Sequence, residues 1–442
     1  MESTASRQFA AFLKARPEQE RYLVAFSGGL DSTVLLHLCA QSIPSQRLRT
    51  IHIDHGIQLQ SKAWAEHCRK VCDSLGVELH VIEVQVDSQS ADGPESAARN
   101  ARYSALEAKL WDNEVLLTAH HQEDQSETLL IQLLRGSGPK GLAAMPTSRP
   151  FGRGVHARPL LALSRAELLE FAQEQGLEWI DDPSNLDRRY TRNFLRHEVL
   201  PPIRQRWPAV DDCLSRAARH QAAAVQLLDE LAAIDLREHT GPRNTLVLAG
   251  LAGLNEPRQL NLLRYWLQSS GLPVPSESVL KRIPSELIPA AEDGSPCVSW
   301  PGAEVRRFSG RLYADVPLST LDPDWRQAWD GKSELPLPAG LGSLALAPQQ
   351  GGLDPALLDS AGITIRFRLG GERCRARPDA QSRPLKKLFQ EWGVEPWRRG
   401  RIPLLFAGDE LVAVAGYWQG GIDCVPDDQT GLKLIWNHHE ED

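Results

Sequence analysis

The chain has 442 residues, with 49 Lys+Arg against 57 Asp+Glu and a formal net charge of −8. That length exceeds one ordinary hydrophobic core and implies two or three domains, while 42% hydrophobic and 24% charged residues exclude a disordered chain. No apolar run approaches the roughly 20 residues that span a bilayer, and the N-terminal stretch has no apolar signal core, which argues against a secreted or membrane protein.

Taken in chain order, the first third alternates between two periodicities. Apolar runs at 22–26, 50–55, 78–84 and 114–121 read as strands, and each is followed by a helical pattern, at 32–40, 63–75, 95–110 and 123–134. Strands separated by helices of this length predict βαβ units, an α/β domain with a parallel sheet, and ligands beyond the carboxyl ends of the strands. From about Ser164 the pattern turns helical, with an Ala/Leu-rich amphipathic helix at 215–235, helices at 256–270 and 276–287, and a hairpin through 304–316. Five prolines between 317 and 350 predict a linker there. Short strands and one helix near 384–393 complete the chain. The expected organisation is a catalytic domain over 1–214, a mainly helical domain over 215–316, a linker over 317–350 and a small α+β domain over 351–442.

Seven scattered cysteines, an odd number with no C-x-x-C pair, suit reduced thiols in a cytoplasmic protein. Cys68 and Cys72 share a helix face beside His67, but no second pair completes a tetrahedral zinc site.

The sharpest feature is Ser27-Gly28-Gly29-Leu30-Asp31-Ser32, between a strand and a helix. Two glycines let the backbone approach a ligand closely, and amides and hydroxyls at a helix start hold an anion. Asp31 repels phosphate unless a cation bridges them, so its natural part is a Mg2+ ligand. The segment lacks the lysine and spacing of a Walker A loop. SGGLDS resembles the signature of the PP-loop ATP pyrophosphatases, which adenylate a substrate and release pyrophosphate. Three further blocks narrow the resemblance: His120-His121-Gln122-Glu123-Asp124-Gln125-Ser126-Glu127-Thr128 with Arg135-Gly136-Ser137-Gly138; Asp182-Pro183-Ser184-Asn185 with Tyr190-Thr191-Arg192-Asn193 and Arg196; and the basic C-terminal stretch through Arg373, Lys386, Lys387, Arg398 and Arg399. Together they resemble the tRNA(Ile)-lysidine synthetase family. One departure is Glu123, where the family usually has aspartate.

The resemblance implies an adenine-nucleotide-binding parallel-sheet domain and a defined reaction. ATP adenylates the C2 carbonyl oxygen of the wobble cytidine of an isoleucine tRNA with a CAU anticodon. Free lysine then displaces AMP, and codon reading changes from AUG to AUA. On that basis Asp31, Asp124, Glu127 and Arg99 are the expected catalytic residues. Ser27, Gly28, Gly29, Leu30, Asp31, Ser32, Asp54 and His55 are expected to hold ATP, with Mg2+ on Asp31. Asp124 and Glu127, three apart at a helix start, share a face suited to an ammonium, and Glu123 is expected beside them. Acids at a helix N-terminus are also favourable without any ligand. His120 and His121 are expected to shape the pocket.

Local charge reverses the sense of the total. From 187 to 206, six arginines face two acids, a net of +4; from 364 to 402, eleven basic residues face four acids, a net of +7. Both patches carry aromatics: Tyr190, Phe194 and Trp207, then Phe367, Phe389, Trp392 and Trp397. Basic residues with interleaved aromatics fit phosphate contact and base stacking, although Phe389 and Trp392, on one helix, are expected to be partly core. The expected tRNA-binding residues are Arg192, Asn193, Arg196, Arg373, Lys386, Lys387, Arg398 and Arg399. Partners are then the tRNA and free lysine, with no membrane and a homodimer left open. The rivals are a PP-loop tRNA thiolase, which generally needs cysteine pairs, a small-molecule ligase of the same superfold, and a non-catalytic tRNA-binding module.

Overall fold

The computed structural model describes residues 3–17, 20–54, 61–84, 94–291, 294–360, 363–375, 381–420 and 424–438. The chain forms two compact units, Met1–Leu228 and Asp229–Asp442, with the division falling inside the helix Val210–His239. Among the described residues no helix is long and apolar enough to cross a membrane.

The first unit is built on a six-stranded sheet. Its strands are β1 (Arg21–Ala25), β2 (Leu48–Asp54), β3 (Glu78–Glu83), β4 (Glu114–Leu117), β5 (Ser148–Phe151) and β6 (Gly154–Ala157), in the spatial order β3-β2-β1-β4-β6-β5. All neighbours run parallel except β5, which turns back on β6. The near-continuous apolar runs of β1 and β4 are buried, as a sheet covered on both faces requires. The β5–β6 hairpin was not expected: its strands are four residues each, and Pro150 fits only because β5 is an edge. At the amino ends of the strands, Arg49 grips Glu114 through two bonds of 2.7 and 2.6 Å and stacks 3.7 Å over Trp111. This fixes β2 against β4 from the side opposite the chemistry.

In the order β2-β1-β4 the crossovers reverse on either side of β1, which opens a crevice at the carboxyl ends of β1 and β4. The Ser27–Ser32 segment follows β1 and the His120–Glu127 segment follows β4, so both motifs border that crevice.

In the second unit, the expected mainly helical region carries helices Leu248–Gly253, Glu256–Ser269 and Glu277–Arg282. It also carries a four-stranded antiparallel sheet from Leu246–Val247, Arg311–Asp315, Ala303–Phe308 and Cys297–Trp300. Its central pair, Ala303–Phe308 and Arg311–Asp315, is the hairpin expected through 304–316, while the flanking strands of two and four residues are too short to show a period of two in the sequence. The expected 317–350 linker is also corrected. Arg326–Trp329 pairs with Ile363–Arg366 in a five-stranded sheet, and Ser343–Leu353 pairs with Cys424–Asn437. Pro336 ends the short strand Leu335–Pro336, and Pro348 lies within Ser343–Leu353 beyond the two residues that this short strand covers, so a missing amide hydrogen is tolerated at both.

Candidate active site

The segment after β1 is a tight anion cradle. Gly28 has φ +83°, and a Cβ there would lie 3.1 Å from both Cys68 Sγ and Ile180 Cδ1. Only glycine fits that backbone in that space. Gly29 is the N-cap of helix Leu30–Ser42, so the first free amides of that helix open onto the crevice. Ser27 Oγ and Ser32 Oγ lie 3.0 Å apart, Ser32 Oγ donates to Gly29 O at 3.0 Å, and Ile180 N donates to Gly28 O at 2.8 Å. Leu30 is buried, so its contribution to a ligand is its backbone. Cys68 and Cys72, fully buried beneath this loop, have thiols pushed up to about 12 and about 11, mainly by burial. Asp54, at the end of β2, is 9% exposed. His55 lies outside the described residues.

Asp31 stands in the first turn of that helix. Its Oδ1 is buried with no hydrogen-bond partner among the described residues, and Oδ2 lies 3.6 Å from His121 Nε2. Burial raises its pKa above the ordinary carboxylate value. An unpartnered buried carboxylate oxygen beside a phosphate cradle is chemically suited to a hard cation. Among the described residues no group of three or more His, Cys, Asp or Glu is arranged around a metal, so the other ligands of such a cation would be phosphate and water oxygens.

Helix Gln122–Leu134 begins where β4 ends, and its first turns converge on the same crevice. Asp124 is 9% exposed and Glu127 fully buried. Asp124 Oδ2 accepts the His121 backbone N–H at 3.0 Å. Glu127 is clasped by Arg196, whose Nε donates to Oε1 at 2.7 Å and Nη2 to Oε2 at 3.0 Å; Nη2 also reaches Asp124 Oδ1 at 3.3 Å. Arg192 adds a contact of 3.6 Å to Glu127 and donates to Thr128 Oγ1 at 3.0 Å. Two of the residues expected to hold lysine, Asp124 and Glu127, and two of those expected to hold tRNA are thus ion-paired to one another. A π-helical turn at Leu195–Val199 runs between helices Thr191–Phe194 and Leu200–Arg206. Pro201 and Pro202 lack the amide hydrogens that would continue α bonding there, and such turns recur at functional sites.

Burial raises the Glu127 pKa despite the arginines, whereas the His121 charge, with Arg192 and the His121 backbone N–H, outweighs burial at Asp124 and lowers it. His121 meets three carboxylates: Glu123 at 2.9 Å, Asp124 at 3.5 Å and Asp31 at 3.6 Å. Burial alone would neutralise it, but these charges prevail and lift it to about 9. Glu123 accepts from His121 Nδ1 and from the Arg165 backbone N–H at 2.9 Å, tying two helix starts together. Both its oxygens are engaged by the Arg165 amide, so Glu123 acts as a strut between the two helix starts.

Arg99 is exposed, with its guanidinium 5.0 Å over the Tyr103 ring. Asn193 Nδ2 donates to Asp187 O at 3.0 Å. Phe194 and Trp207 are exposed at 47% and 59%, with the Arg206 guanidinium 5.5 Å over the Trp207 ring. In the second unit, Lys386 and Lys387 are exposed on helix Leu385–Glu391, and Arg373 is exposed while bonded to Ser382. Arg398 faces Asp315 at 3.6 Å and Arg399 donates to Val394 O at 2.9 Å, so both spend their charge partly on the protein. Phe367 and Phe389 are core residues, and Trp397 packs edge-on to Tyr313 at 5.4 Å. Sequence reasoning missed a buried polar chain through Thr118, His156 and Arg158 behind His120. No local pattern marks it.

A glycine cradle at the switch point of a parallel sheet, with a carboxylate in its first turn, defines a PP-loop domain that uses ATP. Residues 1–203 match the family model described as the PP-loop domain. Residues 246–313 match the TilS substrate binding domain, and 363–436 the TilS substrate C-terminal domain. Named relatives align almost end to end. A tRNA(Ile)-lysidine synthase from Coxiella burnetii is 41% identical over 430 residues, 96% of this chain and 94% of its own. One from Alkalilimnicola ehrlichii is 45% identical over 426 residues, 95% of this chain and 94% of its own. A third, from Methylococcus capsulatus, is 45% identical over 401 residues, 89% of this chain and 91% of its own. The chain belongs to the tRNA(Ile)-lysidine synthase family.

Proposed function

We propose that this chain uses ATP to adenylate the C2 carbonyl oxygen of the wobble cytidine in an isoleucine tRNA with a CAU anticodon, and then joins free lysine to that carbon with loss of AMP. The observation that carries the reading is the convergence of Asp31, His121, Asp124 and Glu127 beside the Ser27–Ser32 cradle. The ATP phosphates rest on the hydroxyls and amides of Ser27, Gly28, Gly29 and Ser32, with adenine toward the end of β2 near Asp54. Asp31 is the residue to hold Mg2+, which when bound neutralises phosphate charge and eases departure of pyrophosphate. Arg99 is the residue proposed to meet a phosphate oxygen, as a guanidinium donates in pairs.

Lysine brings an ammonium that must lose a proton before it attacks. Asp124 and Glu127 are the carboxylates to receive it, and the raised pKa of buried Glu127 suits it to accept that proton. Because Arg196 and Arg192 hold those carboxylates, lysine enters as the arginines exchange carboxylate for tRNA phosphate. The exposed Phe194 and Trp207 support stacking of anticodon-loop bases, while Lys386, Lys387 and Arg373 extend toward the tRNA body. The reading places the reaction in the cytoplasm, where tRNA and free lysine meet.

The test is incubation with ATP, Mg2+, lysine and the CAU-bearing isoleucine tRNA. AMP, pyrophosphate and tRNA-attached lysine are expected in equal amounts. Production of ADP, or a requirement for a sulfur donor, overturns the reading in favour of another adenylating or phosphorylating enzyme.

A further inference from the structure

Behind the carboxyl end of β4, a chain of polar side chains runs into the protein. Thr118 Oγ1 lies 2.8 Å from His120 Nδ1 and 2.8 Å from His156 Nε2. His156, fully buried on β6, has its Nδ1 3.2 Å from Arg158 Nη2, and Arg158 Nη1 donates to Pro146 O at 2.8 Å. Thr118 is 8% and Arg158 4% exposed.

The chemistry of these groups assigns each proton. A guanidinium only donates, so His156 Nδ1 accepts and the ring carries its hydrogen on Nε2. That N–H donates to Thr118 Oγ1. The hydroxyl has one hydrogen of its own, and it is assigned to the other neighbour in this chain of contacts, His120 Nδ1. His120 then carries its hydrogen on Nε2. We infer that Thr118, His156 and Arg158 are positioning residues that hold His120 as an uncharged imidazole presenting Nε2–H to the bound substrates.

The surroundings agree. Burial, with Arg158, Arg192 and Arg99 nearby, outweighs the pull of Asp124 and takes His120 down to about 3. Burial and Arg158 take His156 down to about 2. His120 and His121, adjacent in sequence, are thus set to opposite roles. His121 is a cation among carboxylates, and His120 is a neutral donor suited to an acceptor such as a phosphate or base carbonyl oxygen. A His120 that already carries its Nε2 hydrogen does not take the proton of the incoming ammonium, and this leaves that task to the carboxylates. The hydrogen-bond polarity is independent of the ligase reading; the effect on turnover rests on that reading.

The test has two arms. In the unliganded full chain labelled with 15N-histidine, the His120 signals, identified by their loss in His120→Gln, are expected to show a bare Nδ1 and a protonated Nε2, without titration between about pH 5 and 8. Thr118→Val removes the hydroxyl at nearly constant shape. It is expected to mix the His120 tautomers and lower kcat for lysine attachment about tenfold or more, with the KM for lysine within about twofold. Thr118→Ser is expected to restore both. A protonated Nδ1, or titration near about pH 6.5 in the native protein, overturns the inference. So does a valine variant with the native tautomer and native kcat, or a serine variant as impaired as the valine one. If no lysine is attached even by the native chain, the ligase reading fails while the 15N arm still decides the tautomer.

Discussion

Replacing Arg196 by methionine tests the site where its electrostatics are most concentrated. Glu127 is fully buried and takes two charge-assisted bonds of 2.7 and 3.0 Å from Arg196. Breaking a buried pair by removing one partner costs about 3–5 kcal/mol, because the other charge is left without compensation. Two features reduce that here. The Arg196 side chain is 32% exposed, and Arg192 remains 3.6 Å from Glu127. The expected loss is therefore about 2–3 kcal/mol for the first unit. Part of the cost is avoided when Glu127 takes up a proton. Its native pKa, already raised, rises further in the variant, so the native state binds protons more readily than the unfolded chain and the deficit shrinks as pH falls. The assay is native-state hydrogen exchange of the amides in helix Gln122–Leu134, which reports the unit that holds the pair without assuming a two-state transition for the whole chain. Arg196→Met with Glu127→Leu removes both charges and is expected to recover most of the protection while leaving lysine attachment abolished. A single variant within about 0.5 kcal/mol of the native protein, or a double variant no better than the single, refutes the reasoning.

Three more outcomes follow from particular contacts. His120 and His156 are held neutral with native pKa values of about 3 and about 2, so below the ordinary histidine value the unfolded chain binds more protons and stability falls with pH. The slope contributed by each is up to about 1.4 kcal/mol per pH unit, and His156→Gln is expected to remove about half in unfolding measured from about pH 6.5 down to 5; an unchanged slope contradicts it. Gly28→Ala forces a side chain into a φ of +83° and against Cys68 and Ile180, so a loss of about 1–3 kcal/mol and of ATP-dependent pyrophosphate release is expected, whereas a fully active, equally stable variant removes the cradle argument. Removing Lys386 and Lys387 together is expected to lower the log–log salt slope of whole-tRNA binding by about two. Binding of an isolated anticodon stem-loop is expected to be unaffected; equal losses on both RNAs contradict a contact with the tRNA body.

What the sequence made legible was local. A strand, two glycines, an aspartate and a helix are contiguous at 22–40, and their geometry follows from neighbours a few residues apart. The same holds for Asp124 and Glu127 on one helix face. The ion pair between Arg196 and Glu127 spans 69 residues, and the Thr118–His156 bond spans 38. No periodicity reports such meetings, so Arg196 read as part of a motif block and a basic patch and not as a partner of Glu127. Glu123 shows the converse: the resemblance set it beside Asp124 as a lysine contact, and the Arg165 amide brought beside it from 42 residues away gives it a second part as a strut that the sequence does not announce. Charge runs overstated the free basic surface for the same reason, since Arg398 and Arg399 find Asp315 and a backbone carbonyl.

The central claim is that ATP activates the tRNA base before lysine reacts. The most direct measurement is single turnover with ATP labelled in the α-phosphate, the CAU-bearing isoleucine tRNA and Mg2+, with lysine withheld. Label is expected to become attached to the tRNA with release of pyrophosphate, and a chase with unlabelled lysine is expected to free it as AMP. Label that reaches lysine in the absence of tRNA, or a tRNA that stays unlabelled until lysine is added, would contradict the account.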